Sequence, residues 1–200
     1  MTEIPRIGVL LFEDVELLDF AGPLEVFSVA HRIDPRAVAA PVTIADRAPV
    51  RTFNGLLVHP DFLWDEAPYP EILLLPGGRG VYRELENPPF LDWISSRGQD
   101  ADHVMSVCNG ALFLAKTKLA DGDRLTTHHT DFEKLRTLAG TNTVVEDARV
   151  TDNGKIITAA GVSAGIDMSL YFLQKKLGSA FALDVARYLE YDWKPHGLAG

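Results

Sequence analysis

The sequence predicts an α/β fold, a single domain built as a three-layer sandwich with a mostly parallel sheet between helices on both faces. Three observations carry that expectation. Ile7-Gly8-Val9-Leu10-Leu11-Phe12 and Glu71-Ile72-Leu73-Leu74-Leu75 are short apolar runs, the pattern of strands buried on both faces. Such runs alternate with segments of helical period, the order that produces parallel strands joined by crossover helices. Finally, Val104-Met105-Ser106-Val107 passes through Cys108-Asn109-Gly110 straight into Ala111-Leu112-Phe113-Leu114-Ala115. That is a buried strand turning into a buried helix at one residue, the shape of a nucleophile elbow.

Composition narrows the class. A chain of 200 residues with 46% hydrophobic content can bury one full core, so residues 1–200 read as one domain. The packed part runs from about residue 5 to about residue 191, followed by a short unstructured tail over Asp192 to Gly200. The net charge of -9 argues against a nucleic-acid partner, whose phosphates it would repel. A lone cysteine excludes an intrachain disulfide and a multi-cysteine metal centre, and the scattered histidines form no metal-like cluster. Met1-Thr2-Glu3-Ile4-Pro5-Arg6 has no signal-peptide pattern and no apolar run is long enough to span a bilayer, so a cytoplasmic location and no membrane partner are expected.

Taken in order, Ile7 to Phe12 is the first strand and Glu13 to Asp19 a loop. The helix that follows has Pro23 in its first turn and Leu24, Phe27 and Ala30 along one face. Val42 to Ala45 is a strand, and Val50 to Val58 folds about Asn54-Gly55 as a hairpin or edge excursion. The acidic, proline-rich stretch from Asp61 to Glu71 reads as a solvated loop. After the Glu71 to Leu75 strand, Pro89 to Arg97 is helical with Gly98 as its stop. Asp121-Gly122-Asp123 ends the elbow helix, and Arg124 to His128 is a strand. Thr130-Asp131-Phe132-Glu133 has the form of a capping box. Thr143 to Val150 and Lys155 to Thr158 are strands joined by Thr151-Asp152-Asn153-Gly154. Ser163 or a neighbour caps a helix with Ile166, Leu170, Leu173 and Leu177 on one face and Gly178 as its stop, and a last helix spans about Ala180 to Tyr191.

In such sheets ligands bind at the carboxyl ends of the strands. Asp19, Gly77-Gly78, Cys108 and His128 all fall at or just after predicted strand ends, which makes them one candidate site. Cys108 is the candidate nucleophile. The helix after it directs free N–H groups and a positive dipole end at the sulfur, an arrangement that favours thiolate. A lone cysteine in an apolar stretch is also what a small core residue looks like. Asp19, inside Leu17-Leu18-Asp19-Phe20, would have its pKa raised by burial and so could donate a proton; the alternative is a helix cap or loop carboxylate. Gly77 and Gly78 leave backbone N–H groups uncovered and, with the Asn109 N–H, would make an anion-stabilising hole; the alternative is an ordinary turn. His128 is either a base near the thiol or a strand-end histidine satisfied by backbone.

With these residues in view, the chain resembles the ThiJ/PfpI superfamily, whose fold is class I glutamine-amidotransferase-like. The landmarks are Ile7 to Phe12, Leu18-Asp19-Phe20-Ala21-Gly22-Pro23, Leu75-Pro76-Gly77-Gly78, Ser106-Val107-Cys108-Asn109-Gly110, Thr126-Thr127-His128 and Gly161-Val162-Ser163-Ala164-Gly165-Ile166-Asp167, extended by Leu189-Glu190-Tyr191. Within it the chain is most similar to the isonitrile hydratase branch. The resemblance implies a flavodoxin-like sheet, Cys108 as nucleophile, Asp19 as the nearby acid, and Gly78 with the Asn109 N–H as oxyanion-type donors. It further implies a homodimer acting on a small molecule without metal or organic cofactor. Two positions depart from that branch: Asn109 and Ser163 each stand where it carries threonine. Isonitrile hydration is the activity implied. The alternatives are a glyoxalase-, deglycase- or amidase-like hydrolase, or a thiol sensor without turnover. Many relatives carry a C-terminal helix-turn-helix region, which is not expected in a chain ending at Gly200.

Overall fold

Five consecutive buried residues make β1 (Ile7–Leu11), and every other element is laid down around it. The chain continues through α1 (Leu17–Ile33), β2 (Val42–Ala45), β3 (Val50–Arg51), β4 (Leu57–Val58), β5 (Phe62–Leu63) and β6 (Ile72–Leu75). Next come α2 (Val81–Glu84), α3 (Pro88–Asp100), β7 (His103–Val107), a 3-10 turn at Cys108–Gly110, α4 (Ala111–Thr117), β8 (Arg124–Leu125) and a 3-10 turn at His129–Asp131. The chain then forms α5 (Phe132–Leu138), β9 (Thr143–Val144), β10 (Val150–Asp152), β11 (Ile156–Ala159), α6 (Ala164–Leu177) and α7 (Ser179–Tyr188). The computed structural model describes residues 4–194.

The main sheet has the order β10-β11-β7-β6-β1-β2-β5. Its pairs are parallel except β10, which runs antiparallel to β11. Register follows the apolar runs: Val9 faces Leu74, Leu75 faces Ser106, and Val107 faces Ala159. α1 packs with α6 and α7 in one helical layer, while α3 packs with α2 and α4, and α4 with α5, in the other. Behind the elbow, Phe12, Phe90 and Phe113 meet with ring centroids 5.4 to 5.7 Å apart and join the end of β1 to α3 and α4. Each buried phenylalanine contributes roughly 1.5–3 kcal/mol by leaving water, which holds α3 and α4 against the end of β1.

Several local expectations change. Phe62–Leu63 is an edge strand within the stretch read as a solvated loop; Asp61 anchors it by accepting from the Thr43 N–H and hydroxyl, both at 2.8 Å. α1 begins at Leu17, where the Leu17 N–H donates to Asn54 Oδ1 at 3.3 Å, so Asp19 lies in its first turn and Pro23 in its interior. Gly98 does not stop α3. It is buried in that helix, where an added Cβ would lie 2.5 Å from Leu119 Cδ1. The capping box does not form, because the Thr130 hydroxyl donates to Asp131 and Glu133 pairs with Arg136. Only Arg124–Leu125 of the Arg124 to His128 strand is extended in a sheet. Trp193, assigned to the unstructured tail, is buried in the core; residues 195–200 of that tail lie outside the described residues.

Candidate active site

Cys108 adopts φ 57°, in the left-handed region that a residue with a Cβ rarely enters. The surroundings enforce it. The Cys108 N–H donates to Ala160 O at 2.8 Å and the Thr127 hydroxyl to Cys108 O at 2.8 Å, so both backbone ends of the elbow are tied to neighbouring segments. Gly110 lets the turn press against β6: a Cβ there would lie 2.2 Å from Leu75 O. Such conformations cost on the order of 1–3 kcal/mol and persist only where packing over-determines them.

Two backbone N–H groups act on the sulfur, those of Asn109 and Val162, and both favour its anion. Val162 itself has φ 42°, a second left-handed residue beside the first and one with a β-branched side chain. The sequence reading did not single it out. Its contribution is a backbone N–H in a strained turn, and no side-chain pattern marks that. Gly161 before it admits the His128 ring, since a Cβ there would lie 2.3 Å from His128 Cδ2.

Asp19 is fully buried. Oδ2 accepts from the Gly77 N–H at 3.0 Å, Oδ1 has no conventional partner, and the Cys108 thiol acts on the carboxyl. Burial is the largest influence and lifts its pKa from 3.8 to about 7; the Gly77 N–H opposes this and Glu16 adds to it. Burial likewise pushes the Cys108 thiol up, the Asp19 charge pushes it further, and the two N–H groups pull it down. The expectation of a thiol lowered by a helix end is therefore corrected: α4 has only seven residues, and desolvation dominates. The two acids behave as one unit. Burial and repulsion disfavour two anions, so near neutrality the pair holds at least one proton. With that proton on Asp19, the repulsion vanishes and the two N–H groups favour the sulfur anion.

The glycine pair is also corrected. Neither N–H is open: Gly77's is spent on Asp19, and Gly78's donates to Asn109 Oδ1 at 2.8 Å. Asn109 Nδ2 donates back to Gly78 O at 3.2 Å, so its amide closes over the whole Gly78 peptide. Gly78 must be glycine, because an added Cβ would lie 2.4 Å from Glu16 N. His128 turns its Nδ1 toward Thr130 Oγ1 at 2.8 Å. Burial, and then His129, hold its pKa below the usual histidine value. It supports the Gly161–Val162 turn, and no hydrogen bond joins it to Cys108 among the described residues. Ser163 is exposed, makes no cap bond, and accepts from Arg149 Nη2 at 3.1 Å.

Beyond the named residues, Tyr82 Oη donates to Asp131 Oδ1 at 2.5 Å and interacts with Asn109 and Cys108. Among the described residues no group of His, Cys, Asp or Glu is arranged to hold a metal ion, and no helix is long and apolar enough to cross a membrane.

Comparison with known proteins converges on one family. The sequence pattern of the DJ-1/PfpI family matches residues 5–175. An isonitrile hydratase of Pseudomonas putida is 35% identical over 186 residues, covering 93% of this chain and 78% of that protein. The Parkinson disease protein 7 homolog of Danio rerio is 25% identical, over 90% of this chain and 94% of its own. A ThiJ/PfpI family protein from Pseudomonas syringae superposes with a TM-score of 0.85 at 26% identity, covering all of this chain and 80% of that one.

Proposed function

The chain belongs to the DJ-1/PfpI family, and from that premise we propose that it hydrates an isonitrile to an N-substituted formamide. The observation that carries this reading is the buried Cys108–Asp19 pair on a strained elbow, in a chain 35% identical to an isonitrile hydratase.

In the reactive state Asp19 holds the pair's one proton and the sulfur is an anion held by the Asn109 and Val162 N–H groups. The sulfur attacks the terminal isonitrile carbon. As the C–S bond forms, Asp19 delivers its proton to that carbon, leaving a thioimidate on Cys108 and a carboxylate. Water then adds across C=N, the C–S bond breaks, and the hydroxyl proton returns to the pair as the formamide leaves. The net change is isonitrile plus water, with one hard step divided into two easier ones. Gly77 aims the acid, Asn109 with Gly78 keeps the elbow closed, His128 backs the turn carrying the Val162 N–H, and Ser163 lies on the rim.

The test is formamide production from cyclohexyl isocyanide. Cys108→Ala and Asp19→Asn each lose about 10³-fold or more. Absent wild-type turnover, or unchanged turnover in Cys108→Ala, overturns the reading. One observation favours a second reading. Asn109 carries no hydroxyl, and its amide is closed onto Gly78, so residue 109 offers no side-chain O–H beside the sulfur. That suits the same thiol acting on a reactive carbonyl or amide, and a glyoxal assay on the same variants separates the two. By resemblance the working unit is a homodimer, for which light scattering returns twice the 22.0 kDa chain mass.

A further inference from the structure

The turn beside the elbow, Gly161–Val162, is strained, with Val162 at φ 42°. A β-branched residue stays in the left-handed region only where its surroundings over-determine it. On one side the turn is seated on the elbow strand. The Cys108 N–H donates to Ala160 O at 2.8 Å, and a Cβ added at Gly165 would lie 2.9 Å from Val107 Cγ2. On the other side a single residue, Arg149 at the head of β10, grips both ends of the turn. Its carbonyl accepts from the Ala160 N–H at 2.9 Å, and its Nη2 donates to Ser163 Oγ at 3.1 Å. Val162 lies between these two anchors.

The guanidinium is itself fixed. Nε donates to Asp167 Oδ2 at 2.5 Å, and Nη2 meets the same oxygen. Asp167 stands in the first turn of α6, and Tyr191 Oη, from the segment after α7, donates to its Oδ1 at 3.2 Å. The Arg149 side chain is 51% exposed, and an ion pair so well solvated contributes little to overall stability. What the arrangement supplies is local geometry: one planar guanidinium spans the turn and α6 at once.

We propose that Arg149 is a positioning residue for the thiol: held by Asp167 and Tyr191, it fixes the turn so that the Val162 N–H stays aimed at the Cys108 sulfur. The proposal deepens the reading of Cys108 as the attacking sulfur and rests on it. Asp19 on α1, Asp131 ahead of α5 and Tyr82 on α2 also act on Cys108, and His128 packs on Gly161; the variants below leave all four in place. Without the Val162 N–H the sulfur anion loses a donor, so the one-proton state of the Cys108–Asp19 pair forms only at higher pH.

The experiment follows alkylation of Cys108 by iodoacetamide against pH in wild type, Arg149→Gln, Arg149→Lys and Ser163→Ala, beside formamide production from cyclohexyl isocyanide. For Arg149→Gln the expected result is a midpoint raised by about one pH unit and a rate at pH 6 lowered about tenfold, with the kcat/KM profile displaced in the same direction. Altered access to the sulfur would change the plateau rate and leave the midpoint in place. Arg149→Lys shifts likewise, because one ammonium does not span Ser163 and Asp167 together. Ser163→Ala changes no charge and, being on the exposed rim, leaves the fold intact; it shifts the midpoint in the same direction and adds nothing to Arg149→Gln, since both cut the same bond. An unmoved midpoint in Arg149→Gln, full recovery in Arg149→Lys, or additive shifts from the two substitutions overturns the role of Arg149 and leaves the isonitrile reading standing. Shifted midpoints in a protein whose wild type makes no formamide overturn that reading alone.

Discussion

Asp19 places activity and stability in opposition over one pH window. Its folded pKa is about 7 against 3.8 for a free carboxyl, so protons bind it more tightly in the fold than in the open chain. A raised carboxyl contributes stability that is fully present below 3.8 and is lost as pH rises through about 7. Ionising it in the fold therefore costs up to about 4 kcal/mol. Urea unfolding will show Asp19→Asn more stable than wild type at pH 8, with the gap closing toward pH 4; a gap independent of pH rejects the burial argument. Activity runs the other way. The reactive pair carries one proton, and below pH 7 it carries two. Hence kcat/KM in wild type rises through about pH 7, falling roughly tenfold per unit below pH 6. An acid in an apolar stretch is legible in sequence, and so is a cysteine on a corner. The Val162 N–H is not, because any residue can supply a backbone amide and only the strained turn aims it. The closure of Asn109 over Gly78 was equally hidden, since it depends on two loops meeting in space.

At the scale of elements, the elbow works by close approach. Gly110 brings the turn against the carbonyls of Leu75 and Pro76, which are backbone and cannot move aside. Gly98, by contrast, meets only the tip of the Leu119 side chain, which can rotate, and alanine is the better helix former there. Gly110→Ala will therefore lower stability by roughly 2–4 kcal/mol and abolish turnover, while Gly98→Ala stays within about 1 kcal/mol of wild type and keeps its activity. Thermal melts with the isocyanide assay on both variants decide this, and equal behaviour of the two would remove the argument. The elements that sequence made legible are those with a full apolar run or a full helical stripe, β1, β6, β7 and α6. β5 and α2 have two and four residues, too few to show a period, and tertiary bonds such as Thr43 to Asp61 place the strand; β8 and β9, two residues each, were legible only as parts of longer strands.

Across the molecule, the site draws on β11, β7, β6 and β1, four neighbours in the sheet order. Val162 follows β11, Cys108 follows β7, Gly77 follows β6, and Asp19 sits on the helix after β1. Asp19 and the Val162 N–H thus both reach Cys108 only once the parallel pairing is complete, so the site exists when these strands are paired. The parallel order was legible from alternating strands and helices. The inclusion of Trp193 in the core was not, because a lone aromatic in a polar tail has no pattern around it. Two reporters of folding lie at different places. Trp64 stacks on Trp93 at 5.4 Å beside the β5 edge, and Cys108 lies toward β11. If the sheet forms as one unit, urea unfolding followed by tryptophan fluorescence and by alkylation of Cys108 will share a midpoint. Trp193→Ala, at about 3 kcal/mol, will lower both midpoints together by about 1.5 M. A thiol that becomes reactive at clearly lower urea than the fluorescence change would mean that the elbow opens on its own, and the dependence of the site on the paired strands would be wrong.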